Sequence, residues 1–225
     1  MVEVYLIKIP GETENAEAQT PVNVELLPCS VKERILNTKD SGTKNERAYA
    51  YTLMRAVLNK RGVSDAELRK SFLFDEKGKP FLKDSDFEIS VTHTDGMAAV
   101  AVSEGGPVGI DLEKIDFLKR QRLEKIIARF YKESDSVALE KNITKKNLVC
   151  LGENRAYVNE IKSEAFTDED APFVKWTVLE AALKHVGTGF ECVKDAEKIM
   201  KELRIEASVI SFDGNRYALS VAFAK

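Results

Sequence analysis

Cysteine is scarce in this chain and shows no sign of pairing. Cys29, Cys150 and Cys192 are odd in number, far apart and form no C-x-x-C pair. That argues against a disulfide framework and fits a reducing compartment. Histidine is scarcer still, with only His93 and His185, so a zinc site built from Cys and His is not expected. No run reaches the roughly 18 apolar residues that a membrane-spanning helix needs. The opening VEVYLIKIP run lacks a basic lead and alternates, so it reads as a first strand rather than a signal peptide. An excess of basic charge is missing as well. Lys and Arg total 34 against 37 Asp and Glu, for a net charge of −3. General nucleic-acid binders are usually basic. Neither nucleic acid nor a membrane is therefore an expected partner, and the cytoplasm is the expected compartment.

The chain does contain enough apolar residues for a core. Of its 225 residues, 44% are hydrophobic and 32% charged, a globular balance for one large domain or two small ones. Strands are predicted over 2–9, 87–92, 97–103 and 108–113, and two more over 205–224. Residues 10–23, polar with two prolines, read as a loop. Apolar residues at helical spacing predict helices over 44–60, 118–139 and 173–186. Ser64-x-x-Glu67 resembles a capping box for a short helix over 65–70. Glu76 to Pro80 has turn chemistry between two apolar stretches. Residues 141–172 are mixed and polar. Two segments resemble each other: FEISVTHTDGMAAVAVS and ASVISFDGNRYALSVAFA each run strand, Asp-Gly turn, strand. If the likeness is a true repeat, the fold is two α+β halves, and the cleft between them is a natural site.

The chemistry-bearing residues are few. Alternation along the strand at 108–113 puts Val108, Ile110 and Leu112 on one face, and Asp111 and Glu113 on the other, about 7 Å apart. Two carboxylates that close suit a cation such as Mg²⁺. The plainer reading is the wet face of an amphipathic strand; if the pair faces a solvated cleft, removing either carboxylate should cost little stability. On the helix at 173–186, Trp176, Leu179, Leu183 and Val186 form the apolar arc. Glu180 and Lys184 border it one turn apart, as a metal ligand and a phosphate contact or as an ordinary ion pair. His93, between two threonines in a turn, and Lys79, in Gly-Lys-Pro, are candidate phosphate contacts or plain loop residues. His185 lies away from Glu180 on the helix and reads as a surface residue.

The order of these elements carries more than any one of them. GKP, a strand ending in Thr92-His93, then VGIDLE, then W-x-x-x-E-x-x-x-K followed by GxG, resembles the Sfp-type 4′-phosphopantetheinyl transferases. The two strongest motifs stand as Gly109-Ile110-Asp111-Leu112-Glu113 and as Trp176 with Glu180 and Lys184. The resemblance runs from about residue 44 to 190. It implies an α+β pseudo-dimer of two similar halves, here 1–107 and 108–225, with the active site in the cleft between them. It implies transfer of 4′-phosphopantetheine from coenzyme A to a serine of an apo acyl or peptidyl carrier protein, by a working monomer. Asp111, Glu113 and Glu180 would then ligate Mg²⁺, or Mn²⁺ in its place, and Lys184 would meet the pyrophosphate. Lys79, Thr92 and His93 would hold the 3′-phosphate end of the nucleotide, and Lys32 and Arg47 would add basic contacts. Either Glu133 or Asp135 would match a further acidic residue of the family. Two features depart from the pattern. Leu179 stands where the family often has lysine, and 69 positions separate Asp111 from Glu180, the extra length falling in 141–172. A non-catalytic binder of coenzyme A or of a carrier protein, and a Mg²⁺-dependent phosphohydrolase, are the competing readings.

Overall fold

Among the described residues, the chain forms two four-stranded sheets, a small two-stranded hairpin and the helices packed on them. The structure is a computed structural model and describes residues 1–10, 22–130, 148–150 and 162–225. The first sheet has the order β4-β5-β1-β7, from β1 (Val2–Lys8), β4 (Phe87–Thr94), β5 (Met97–Glu104) and β7 (Leu148–Cys150). The second has the order β6-β10-β9-β8, from β6 (Val108–Lys114), β8 (Lys162–Glu164), β9 (Leu203–Phe212) and β10 (Asn215–Ala224). A small hairpin of β2 (Phe72–Phe74) and β3 (Pro80–Leu82) flanks the anticipated turn. Asp213 and Gly214 both have positive φ, 51° and 72°, the backbone a type I′ turn requires.

The helices are α1 (Cys29–Leu36), α2 (Ser41–Lys60), α3 (Asp65–Ser71), α4 (Phe117–Ile127), α5 (Ala171–Val186) and α6 (Ala196–Glu202). Asp40 caps α2 by accepting from the Thr43 amide at 2.7 Å. Ser64 caps α3 by accepting from Glu67 N at 3.2 Å, as the capping-box reading anticipates. Two expectations need correction. Among the described residues the predicted 118–139 helix ends at Ile127, and 131–139 lie outside them, with Glu133 and Asp135. Val186 is 44% exposed and leaves the apolar arc of α5, because the helix ends there at Gly187, whose φ is 76°. Of the polar segment 141–172, residues 141–147 and 151–161 lie outside the described residues, as do 11–21 of the predicted loop.

The core is in three parts. One lies under α2 and includes Leu53, Met54, Val57, Ala98, Val100 and Val102. A second lies under α5, around Phe173, Val178, Leu179, Ala182, Ala218 and Ala222. The third joins the sheets, with Leu6, Met97 and Ala99 meeting Ile110, Leu112 and Leu219. Strand β5 therefore has both faces covered. That is why MAAVAV is continuously apolar and built largely of small residues.

The edge strands of the two sheets, β4 and β6, run side by side. Ser90 Oγ accepts from Ile110 N at 3.0 Å, and Thr94 Oγ1 accepts from Lys114 N at 3.3 Å. Both contacts step forward in the same sense, so the strands are parallel, stitched by hydroxyls instead of a backbone ladder. Among the described residues no helix is long and apolar enough to cross a membrane.

Candidate active site

The site is built where β6 lies under α5. Gly109 makes the approach close. A Cβ there would stand 1.9 Å from Ala181 O and 2.4 Å from His185 N, so only glycine fits. The backbone contact sets the turn of α5 carrying Glu180 and Lys184 over the β6 face that carries Asp111. Val108, Ile110 and Leu112 turn into the inter-sheet core as alternation predicts, leaving Asp111 and Glu113 on the opposite face.

At Asp111 that face is not the wet face of an amphipathic strand. Asp111 is 6% exposed. Its Oδ1 accepts from Lys184 Nζ at 2.6 Å and from Thr92 Oγ1 at 3.0 Å. Removing the carboxylate would strand an ammonium and a buried hydroxyl, so at Asp111 the condition for a small stability cost, a solvated face, is not met. Glu113 pairs with Lys119 at 3.1 Å. Burial raises the pKa of Glu113, and Asp111 and Glu46 add to that against the opposing pull of Lys119. Burial and then the charge of Asp111 lift the pKa of Glu180 to about 7, with Lys184 opposing and Glu113 adding. Burial works against the charge of Lys184, but Asp111 and Glu180 outweigh it and its pKa is raised.

Beside this cluster opens a cavity of about 340 Å³. Among the described residues, Arg34, Arg47, Lys77, Lys79 and Lys184 line it, five basic side chains, with His93 and one carboxyl, Glu180. A protein of net charge −3 thus concentrates positive charge in one concavity, a fit for a ligand carrying several phosphates. Of the residues anticipated from sequence, Arg47, Lys79, His93, Glu180 and Lys184 border it. Thr92 and Asp111 stand just behind, bonded to each other. Lys32 is not among the lining residues and pairs with Glu25 at 3.0 Å.

The cationic side chains are held by protein groups. Lys79 Nζ donates to His185 O at 2.8 Å, and burial lowers its pKa. Arg47 Nη1 donates to Thr38 Oγ1 at 2.8 Å. His93 Nδ1 lies 2.9 Å from Glu46 Oε2. Leu179 is fully buried on the core face of α5, so that position offers the cavity no charge. His185 is not the surface residue expected: both its ring nitrogens are buried, with no hydrogen-bond partner among the described residues.

Sequence reasoning missed Arg34 and Glu46. Arg34 Nη1 donates to Gly78 O at 3.1 Å, and its guanidinium lies 4.1 Å from the Phe74 ring centroid. It sits on α1, whose two buried residues, Val31 and Ile35, make too short a stripe to mark a helix. Glu46 gave no motif of its own, and its partner His93 is 47 positions away.

Asp111, Glu113 and Glu180 are three carboxyls of one neighbourhood, and the charge of Asp111 helps to raise the pKa of both glutamates, a repulsion of the kind a hard divalent cation relieves. Among the described residues no three such side chains already stand together as metal ligands. Lys184 holds Asp111 and Lys119 holds Glu113. The oxygen-only donor set suits Mg²⁺ or Mn²⁺, and the lysines neutralise the same charges without it. No family model matches this chain, and no curated protein matches it.

Proposed function

We propose that the protein transfers 4′-phosphopantetheine from coenzyme A to a serine hydroxyl of an apo acyl or peptidyl carrier protein. The products are the holo carrier protein and adenosine 3′,5′-bisphosphate. The observation that carries this reading is the junction of the Asp111, Glu180 and Lys184 cluster with a cavity ringed by cations. A nucleotide with several phosphates fits the cavity, and a pyrophosphate reaches the carboxylates at its edge. Asp111, Glu113 and Glu180 would hold Mg²⁺ or Mn²⁺, which supplies charge neutralisation on the pyrophosphate oxygens. Lys184 adds its ammonium at the same edge. Glu180, whose pKa is about 7 in the metal-free site, would take the proton of the attacking serine directly or through a metal-bound water. The strand order supports two similar halves. β1, α2, β4 and β5 of one sheet have counterparts of the same order in β6, α5, β9 and β10 of the other. We divide the chain at 107/108 on that basis and take it to act as a cytoplasmic monomer.

The second reading is a non-catalytic binder of coenzyme A or of a carrier protein. The Lys184–Asp111 and Lys119–Glu113 pairs favour it, since they satisfy the carboxylates without a metal. Incubation with coenzyme A and Mg²⁺, with and without apo carrier protein, separates the readings. A transferase releases adenosine 3′,5′-bisphosphate only with the carrier, a phosphohydrolase releases product without it, and a binder releases none. Product without carrier, or no product with it, contradicts the proposal.

A further inference from the structure

We infer that Glu46, which no motif marks, is a positioning residue that makes His93 a donor to an anionic group of the nucleotide. The inference rests on the nucleotide assignment made above and deepens it. Glu46 lies in the first turns of α2, and His93 near the end of β4. Their side chains are 22% and 24% exposed, and Nδ1 stands 2.9 Å from Oε2. An ionised carboxylate only accepts hydrogen bonds, so the Nδ1 proton points at Glu46. That fixes the ring's orientation and leaves Nε2 as the nitrogen available to a ligand in the cation-lined cavity that His93 borders. A phosphate oxygen at Nε2 needs a proton there too. Donating from both nitrogens, the ring would bridge the Glu46 carboxylate and the ligand's anionic oxygen, an arrangement that Glu46 favours. Glu46 also lines a second cavity, of about 580 Å³, with Asn45, Asp95 and Lys114.

The opposite sign of effect makes the inference testable. Were Glu46 merely a nearby negative charge, neutralising it would tighten phosphate binding; as the support of His93, its loss weakens it. Calorimetric affinities for adenosine 3′,5′-bisphosphate and for 5′-AMP are compared in the wild type, Glu46→Gln, His93→Ala and the double variant, with melting curves to verify folding. The wild type should prefer the bisphosphate. Glu46→Gln should lose about 10-fold for it and little for 5′-AMP, and the double variant should be no weaker than His93→Ala alone. Unchanged or tighter bisphosphate binding by Glu46→Gln, an equal loss on both nucleotides, or additive losses in the double variant would overturn the role of Glu46. A folded wild type that does not distinguish the two nucleotides overturns the 3′-phosphate assignment itself, and this inference with it.

Discussion

Asp111, Glu180 and Lys184 share one charge balance: two carboxylates, one ammonium and little water. Glu180 bears most of the strain, because burial and Asp111 both disfavour its ionised form. The consequence for stability has a definite sign. A carboxyl with a pKa of about 7 when folded, against about 4.3 when unfolded, holds its proton more tightly in the native state. Its stabilising contribution is full below the unfolded value and is lost as pH rises through 7. Glu180→Gln imitates the protonated form and escapes that loss. In metal-free buffer the variant should therefore gain on the wild type between pH 5 and pH 8, by on the order of 1–3 kcal/mol, read from urea unfolding at each pH. Carboxyls held low by hydrogen bonds are common to both proteins and cancel. Asp170 is one of these: burial would raise it, but bonds from Thr167 and Arg216 prevail. Parallel pH curves for the two proteins would show that Glu180 does not titrate in this range.

At the scale of elements, the site depends on how closely α5 lies on β6. Thr177 Oγ1 and Ser220 Oγ, 2.8 Å apart and buried, tie the same helix to β10, so α5 has little room to shift. Gly109→Ala should therefore cost about 1–3 kcal/mol by overpacking. It should also move Glu180 and Lys184 off Asp111, so that transfer falls by more than the loss of folded protein explains. Denaturant unfolding beside rates per folded molecule measures both, and a stable, fully active variant would refute the backbone contact. The elements that build this contact were the legible ones. Period-two alternation in VGIDLE separates a core face from a carboxylate face, and the long apolar arc of α5 puts Glu180 and Lys184 at its border. α1 and α6 were not legible, because each is short, turns only two residues into the core, Val31 with Ile35 and Ala196 with Met200, and starts without a side-chain cap to mark it. Arg34 was lost with α1. The engagement of Asp111 by Lys184, and of His93 by Glu46, joins residues 73 and 47 positions apart. Spacing within one element carries no trace of such pairs.

For the molecule as a whole, the two sheets share an apolar core, and hydroxyls of β4 stitch their edge strands together. The row Ser90, Thr92 and Thr94 was readable only as small polar positions in a strand. Its purpose emerges from the neighbouring strand, since two of these hydroxyls take β6 amides and the third holds Asp111. The same arrangement sets the carboxylate cluster at the margin of the cation-lined cavity, and the central claim is that this margin is where a phosphorus–oxygen bond is exchanged. Mass spectrometry of an apo carrier protein, incubated with coenzyme A, Mg²⁺ and either the wild type or Glu180→Gln, tests it most directly. The account predicts that the wild type adds one phosphopantetheine to the carrier, and that the variant does so at less than about a tenth of the rate, a loss of at least about 1.4 kcal/mol in barrier terms. A carrier left unmodified by the wild type, or modified equally fast by both proteins, would contradict it.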